Sequence, residues 1–431
     1  MFTRKMLIGM LVASLVLVTV GAGYTSAMSR PTRLANDLDS TDVYLSHEIV
    51  VSALDNNKYS PAVAYNSNHD QYMVVWENVW PGGHHDIYAQ RISSSGQLLS
   101  WFAVSVNTNK QMQPSVAYDP LRDRYLVTWI YDVWGNGTDW DIYGRFIPWD
   151  GPSGTLVDFM ICNWNSGQWH PDVAYGLAQD EFMVVWMNTP SGVPTYISGR
   201  RIFADGSGFP SNGFTISSGP ENRDFPSVAY NLARNEYLVT WDVVKASLDI
   251  YGLRMTGTGI ALGGGEFAIA GWPADEEHPA LAACNQADQY LVTWQSLVTP
   301  PNDTDIYGRY IGGDGSLAGV YLVFGTTAPE KESEVTCNQG GGQYLITWQT
   351  MYTDGYYGIW GRRAFPDESM EDSFGLVASG NNADRAYPAA AGGKANYLVA
   401  WEHQRDGTSY QDIHGLLVTP YKVFLPLIRR D

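Results

Sequence analysis

Tryptophan closes a short apolar run seven times in this chain. It does so at Trp76, Trp129, Trp186, Trp241, Trp294, Trp348 and Trp401, at intervals of 53, 57, 55, 53, 54 and 53 residues. Each run belongs to a longer line, clearest between Pro114 and Arg145: PSVAY, a polar gap, YLVTW, a longer gap, then DIYGR. A period of this kind constrains the fold more than any motif, because a unit this small buries its apolar surface only by stacking on neighbours. Length alone would suggest two or three domains for 431 residues. The repeat overrides that expectation and predicts one body.

Each unit offers four strand candidates. Strand A is PSVAY, strand B YLVTW and strand C DIYGR. Strand D is a Phe-led run such as Phe102–Val106, Phe159–Cys162, Phe214–Ser217 or Phe267–Ile269. Val, Ile, Thr, Tyr and Trp dominate these runs and no unit carries a 3.6-residue apolar stripe, which excludes a helical solenoid. Strands A and B are apolar at both odd and even positions, as in sheets covered on both faces. Four strands in each of seven units predict an all-β, seven-bladed β-propeller of four-stranded antiparallel blades over residues 47–418. On these repeats the chain resembles secreted bacterial β-propeller repeat proteins. The resemblance is specific for architecture and silent about activity, since propellers host binders, scaffolds and enzymes.

The last unit, ending in Asp412–Leu417, lacks a typical strand D, and a D-like run at 47–52 precedes the first unit. This predicts that the N-terminal strand completes the last blade, covering two open edges at once. Lys422–Ile428 competes for the slot, but Pro426 would confine it to an edge.

Residues 1–27 read as a secretory signal: Arg4 and Lys5, an apolar run from Leu7 to Val20, and small-residue cleavage sites ending at Ala22 or Ala27. An uncleaved anchor is the alternative. Residues 28–46 read as a linker and 419–431 as a tail. The stretch VFLPLIRR in that tail resembles short C-terminal tails on secreted proteins of filamentous green bacteria, which implies sorting to or attachment at the cell surface. Loss of residues 1–27 would take the net charge from −19 to −21. That acidity argues against nucleic acid or an anionic membrane as partner.

Cys162, Cys284 and Cys337 make an odd count without metal-binding spacing. Cys284 and Cys337 occupy near-equivalent places in successive repeats, so a bridge between them is expected to be feasible in an oxidising compartment. Asp86, Asp141, Asp249, Asp305 and Asp412 open strand C in five of the seven units. A repeated Ca²⁺ site is one reading of them, but calcium needs six to eight oxygens, and turn-bonding carboxylates are the simpler expectation. Thus no cofactor is expected. Arg145, Arg200, Arg309 and Arg362 end the same motif and are expected to stack or pair between blades.

Function is expected where the repeat breaks, in loops on a rigid scaffold. Strand alternation places the B–C and D–A loops on one face. Of nine tryptophans outside the repeat, six fall there, with five of eight histidines. The binding candidates are Trp80, His84, His85, Trp134, Trp140, Trp164, Trp169, His170, Trp272, Glu276 and His278. Exposed aromatics beside acids and amides suit a glycan or an extracellular protein. Folding of the same aromatics back onto the blades is the structural alternative. His170 and His278 precede the strand A proline in the third and fifth units, where other units carry Ser60, Gln113 and Phe225. Catalysis finds less support: there is no G-x-S-x-G, no H-E-x-x-H and no phosphate-binding glycine loop. The expected function is therefore a secreted, non-catalytic binding or scaffold protein. A carbohydrate-active enzyme with its site over the central channel, and a structural cell-surface component, are the alternatives.

Overall fold

The structure is a computed structural model that describes residues 43–53, 55–152, 157–209, 213–299, 303–377, 383–405 and 408–420. The stretch read as a signal, most of that read as a linker and the VFLPLIRR stretch lie outside the described residues. Among the described residues every regular element is a strand, and no helix is long and apolar enough to cross a membrane.

Seven antiparallel sheets follow one another along the chain, each in the order A-B-C-D. Blade 1 comprises Asn57–Asn66, Gln71–Val79, His85–Ser93 and Leu98–Ser105. Strands A of the next five blades are Gln111–Asp119, Gly167–Gly176, Arg223–Asn231, Glu276–Cys284 and Glu330–Cys337. Blade 7 is Arg385–Gly392, Tyr397–Gln404 and Gln411–Thr419. As expected from the strand count, Ile49–Ser52 supplies its fourth strand, with Ile49 opposite Gly415 and Val50 opposite His414. Tyr44–Leu45 adds a further short pairing to Thr419 and Val418, so the sheet reaches into the stretch read as linker.

The core is divided among the seven junctions between successive blades. Met73, Val75, Ile87 and Val104 of blade 1 pack with Val127 and Trp129 of blade 2. The other face of the same strand B, through Tyr72, Val74 and Trp76, packs on Ala391, Leu398 and Ile413 of blade 7 and on Val51. Successive side chains of a strand point to opposite faces, so a strand between two blades must be apolar at every position. All seven repeat tryptophans are buried at such junctions. The closing junction includes Val51, so the N-terminal strand shares in the core as well as in the hydrogen-bond ladder.

The strand C arginines bolt neighbouring blades together as expected, but through backbone carbonyls and not through the aromatic or Asp side chains foreseen. Arg200 donates to the Ile161 carbonyl (2.5 Å) and Arg309 to that of Ile269 (2.6 Å). Arg145 and Arg362 make the same bond to Val104 and Val323. Cys284 and Cys337 form a disulfide between blades 5 and 6, and Cys162 is free and buried.

Candidate functional site: the loop-face mouth of the channel

Strand A of every blade slips its register against strand B once, and a residue at each slip carries a positive φ. These residues are Ser60, Gln113, His170, Phe225, His278, Glu332 and Tyr387, all with φ between 47° and 54°. Such a backbone costs about 1 kcal/mol or more in a residue with a Cβ, so seven repetitions show that the fold imposes it. Six of the seven freed N–H groups are taken by the preceding blade. Ser60 donates to Glu402 (2.8 Å), Gln113 to Glu77 (3.4 Å), His278 to Asp242 (3.4 Å), Glu332 to Gln295 (3.1 Å) and Tyr387 to Gln349 (2.8 Å). Each acceptor directly follows a repeat tryptophan. Blades 2 and 3 have Ile130 and Met187 at that position. There the Gln113 side chain accepts from His170 (3.1 Å), and Asp224 accepts from Phe225 (2.8 Å).

These bulges form the innermost turn of the ring on the loop face, and three adjacent ones carry aromatic rings. Phe225 lies 4.4 Å from His170 and 3.8 Å from His278, centroid to centroid. His278 Nδ1 is 3.2 Å from a Glu332 carboxylate oxygen, and His170 Nε2 is 3.7 Å from Asp224. The arc is half-buried and open to solvent. Burial pushes the His170 pKa down, against the pull of Asp224. Burial opposes charge on His278 too, but Glu332, Asp242 and Glu277 outweigh it and its pKa is raised. The two imidazoles beside Phe225 are therefore biased to different charge states. Asp242, deeply buried and near Asp224, is raised to about 7. Burial raises Glu402 to about 8.

Of the residues predicted to bind, the structure brings His170 and His278 together through Phe225. Trp134 is 71% exposed, its indole held by Asp139 (2.8 Å), and Trp272 is 39% exposed, edge-on to Tyr307. His84 is exposed in the same loop as Trp80, which is half-buried against Tyr88. His85 bonds Glu77 at 2.6 Å and braces that carboxylate. Three others fold back toward the blades, Trp140 buried and Trp164 and Trp169 half-buried. Trp140 is buried against Trp169 of the next blade (5.1 Å), and Trp164 packs edge-on to the repeat residue Trp186 (5.9 Å). These loop aromatics fold back because a blade end left bare would expose the junction core.

Glu276 also differs from expectation: it is fully buried. Its carboxylate receives the Trp272 N–H (3.1 Å) and closes the D–A loop. The same register holds Lys58, Gln111, Gln168, Arg223, Glu330 and Arg385, all buried. Lys58 bonds the Asn56 carbonyl (2.7 Å), Gln111 that of Asn109 (2.9 Å) and Arg223 that of Glu221 (2.6 Å). This position therefore ties down the approach to strand A in every blade, with donors or acceptors alike. Burial raises Glu276 to about 7 and Glu330 to about 8. The strand C aspartates do related work on the other side of the loop. Asp86 accepts from the Asn107 N–H (3.3 Å), and Asp412 receives Arg405 (3.0 Å) and Lys58 (3.4 Å).

The opposite end of the channel holds a funnel of 690 Å³ lined by Tyr65, Tyr118, Tyr175 and Tyr230 with Asn285 and Gln339. Its tyrosine hydroxyls are already bonded within their own A–B turns, Tyr65 to Asp70 and Tyr118 to Asp123 at 2.6 Å. That wall repeats over blades 1 to 4, whereas the loop-face mouth carries six side-chain types in seven blades, histidine alone recurring.

No protein-family model and no curated protein matches the sequence. Among solved structures, the chain is similar to the β-propeller domain of the Trilobed protease from Pyrococcus furiosus, at 7% identity, covering 87% of this chain and 98% of that one, with a TM-score of 0.49. It is also similar to a subtype N10 neuraminidase-like protein of influenza A/little yellow-shouldered bat/Guatemala/060/2010, at 10% identity, 72% and 94% coverage and a TM-score of 0.44. A third likeness is the catalytic domain of a Coprinopsis cinerea GH62 α-L-arabinofuranosidase, at 9% identity, 62% and 94% coverage and a TM-score of 0.36. Likenesses this distant carry no argument for fold or function. The strand pairing described above by itself defines the class, a seven-bladed β-propeller.

Proposed function

We propose that this protein is a secreted, non-catalytic binding module whose loop-face channel mouth takes a glycan. The observation that carries this reading is the His170–Phe225–His278 arc, three rings on adjacent blades held on bulged backbone beside Glu332 and Asp224. An aromatic face suits the C–H face of a sugar ring, and flanking carboxylates and imidazoles suit its hydroxyls. Trp134 and Trp272, in loops of the same face, add exposed aromatic surface. The carboxylates with raised pKa do not require a catalytic explanation. Glu402 and Asp242 anchor bulge N–H groups, and the neutral Gln295 and Gln349 do the same work elsewhere in the ring.

The test is a glycan array probed with the whole mature chain, followed by calorimetry on any hit with Phe225→Ala and Trp134→Ala. Loss of binding in Phe225→Ala, with weakening in Trp134→Ala, is the expected result. Undiminished binding in Phe225→Ala would place the ligand elsewhere, the tyrosine-lined funnel being the first alternative. Reducing sugar released by the wild type would replace the reading with a catalytic one.

A further inference from the structure

Closing the ring brings together three side chains that lie far apart in sequence. Glu48 precedes the N-terminal closing strand, and His403 and His414 lie on strands B and C of the last blade. His414 Nδ1 is 2.6 Å from Glu48 Oε1, and His403 Nδ1 is 3.7 Å from the same oxygen. The two imidazoles stack 3.9 Å apart and nearly parallel. Donor atoms of all three residues lie within 4.8 Å of one another.

We propose that Glu48, His403 and His414 form a site for a divalent transition-metal ion of the zinc class, which clamps the N-terminal strand to the last blade. Two imidazoles and a carboxylate are a donor set zinc accepts, with bonds of about 2.0–2.2 Å and donor atoms about 3.3 Å apart in a tetrahedron. The atoms here are within side-chain rotation of that arrangement. Both imidazoles are almost wholly buried, while the Glu48 side chain is 38% exposed. The protein thus closes three sides and leaves the fourth to water, the pattern of an open three-ligand zinc site.

The other blades show that the fold does not require these residues. The equivalents of His403 and His414 in blade 2 are Tyr131 and Tyr143, which pack edge to face at 5.1 Å. The equivalents of His414 and Glu48 in blade 1 are Tyr88 and Trp101, 5.9 Å apart. The His403 register elsewhere holds Asn78, Tyr131, Asn188, Val243, Ser296 and Thr350, and the Glu48 register includes Asp158 and Glu266, but only the seam carries metal-ligand types at all three positions. The seam is also where an added tie gains most, since its strand is joined to the ring by no covalent link within the blade. One neighbour opposes a dication. Arg385 lies directly opposite His403 in the strand ladder, its guanidinium held by the Ala383 carbonyl (3.2 Å). Blades 2 and 3 carry Gln111 and Gln168 at the register of Arg385.

The experiment uses the whole chain, stripped with a chelator and titrated calorimetrically with Zn²⁺ alone near neutral pH. One equivalent is expected, with proton release. At a hundredfold excess over Kd the melting temperature should rise by about 3 °C. Glu48→Gln at the solvent edge, and His414→Gln, should each weaken binding at least tenfold and abolish the thermal shift. Their fold is checked by near-UV circular dichroism in chelator. Arg385→Gln should tighten binding several-fold, an effect that a merely packed His-Glu cluster would not give. Co²⁺ in place of zinc should show the visible absorption of a four-coordinate ion. The proposal is overturned if the stripped wild type takes up no equivalent, or if Glu48→Gln and His414→Gln take it up unchanged.

Discussion

Glu402 of the last blade accepts the backbone N–H of Ser60 in the first at 2.8 Å, across the seam and 342 residues along the chain. The carboxylate is buried, and burial lifts its pKa to about 8. Gln295 and Gln349 show that an amide oxygen serves the same bulge in other blades. Glu402→Gln should therefore keep the bond and remove the cost of a buried charge. At pH 8 the variant is expected to be more stable than the wild type, on the order of 2 kcal/mol, and at pH 5 the difference should vanish. Urea unfolding at the two pH values checks this, and equal destabilisation at both would refute the account of the bulge.

The same logic applies to the whole molecule. Asp141, Asp242 and Glu276 are raised to about 7, and Glu330, Glu334 and Glu402 to about 8, in each case first by burial. A raised carboxyl pKa means that the folded state still holds a proton the unfolded chain has released. Stability then falls as pH rises through the window from about 4.5 to about 8. Glu48, Asp205, Asp288, Asp314 and Asp367, whose pKa values are lowered first by hydrogen bonds, work the other way, but none of them is buried. The melting temperature should be higher at pH 5 than at pH 8, the reverse of the usual behaviour of paired surface carboxylates. A flat or rising profile would show that these groups are better solvated than their burial implies.

Two tryptophans separate scaffold from surface. Trp401 is fully buried in the junction of blades 6 and 7, among Leu345, Ile359 and Val399. Trp401→Ala should cost about 3–5 kcal/mol through the cavity it leaves. Trp134 is 71% exposed, so Trp134→Ala should change stability by less than about 0.5 kcal/mol while altering ligand binding. Chemical denaturation of both variants in one buffer makes the comparison.

The repeat made the ring legible because the period reports stacking directly, and a strand count located its closure. Side-chain destinations were harder to read. Glu276 resembles a free acid in an acidic loop. Only alignment of the units at Lys58, Gln111, Gln168, Arg223, Glu276, Glu330 and Arg385 shows a register that is polar in every unit, the signature of buried hydrogen bonding. Phe225 was visible beside His170 and His278, but as evidence that the position varied. Its place between two histidines depends on blade adjacency, which turns a spacing of 55 or 53 residues into ring contact. Trp140 and Trp169 could not be told from exposed aromatics, because loop sequence does not state which blade end it covers. The Glu48–His403–His414 cluster spans the whole ring, and no local pattern announces it.

Cys284 and Cys337 tie blade 5 to blade 6 across 53 residues, between the innermost strands. A link of that span removes chain entropy from the unfolded state worth about 4 kcal/mol in the loop-closure picture, and measured values commonly run about 2–4 kcal/mol. Blade 6 has Cys337 and blade 5 Ala283 where blades 1 to 4 have the tyrosines Tyr65, Tyr118, Tyr175 and Tyr230, so the bridge stands where the packing of those rings is missing. Reductant, or the pair Cys284→Ala and Cys337→Ala, should lower the urea midpoint by the equivalent of a few kcal/mol. Cys162 gives an internal control. It is buried, with its pKa pushed up to about 12, and should stay unreactive toward thiol reagents until the chain unfolds. Thiol counting on the non-reduced protein should therefore find one thiol per chain in denaturant and none before it. Three thiols in denaturant, with a midpoint indifferent to reductant, would mean that blades 5 and 6 are held by packing alone.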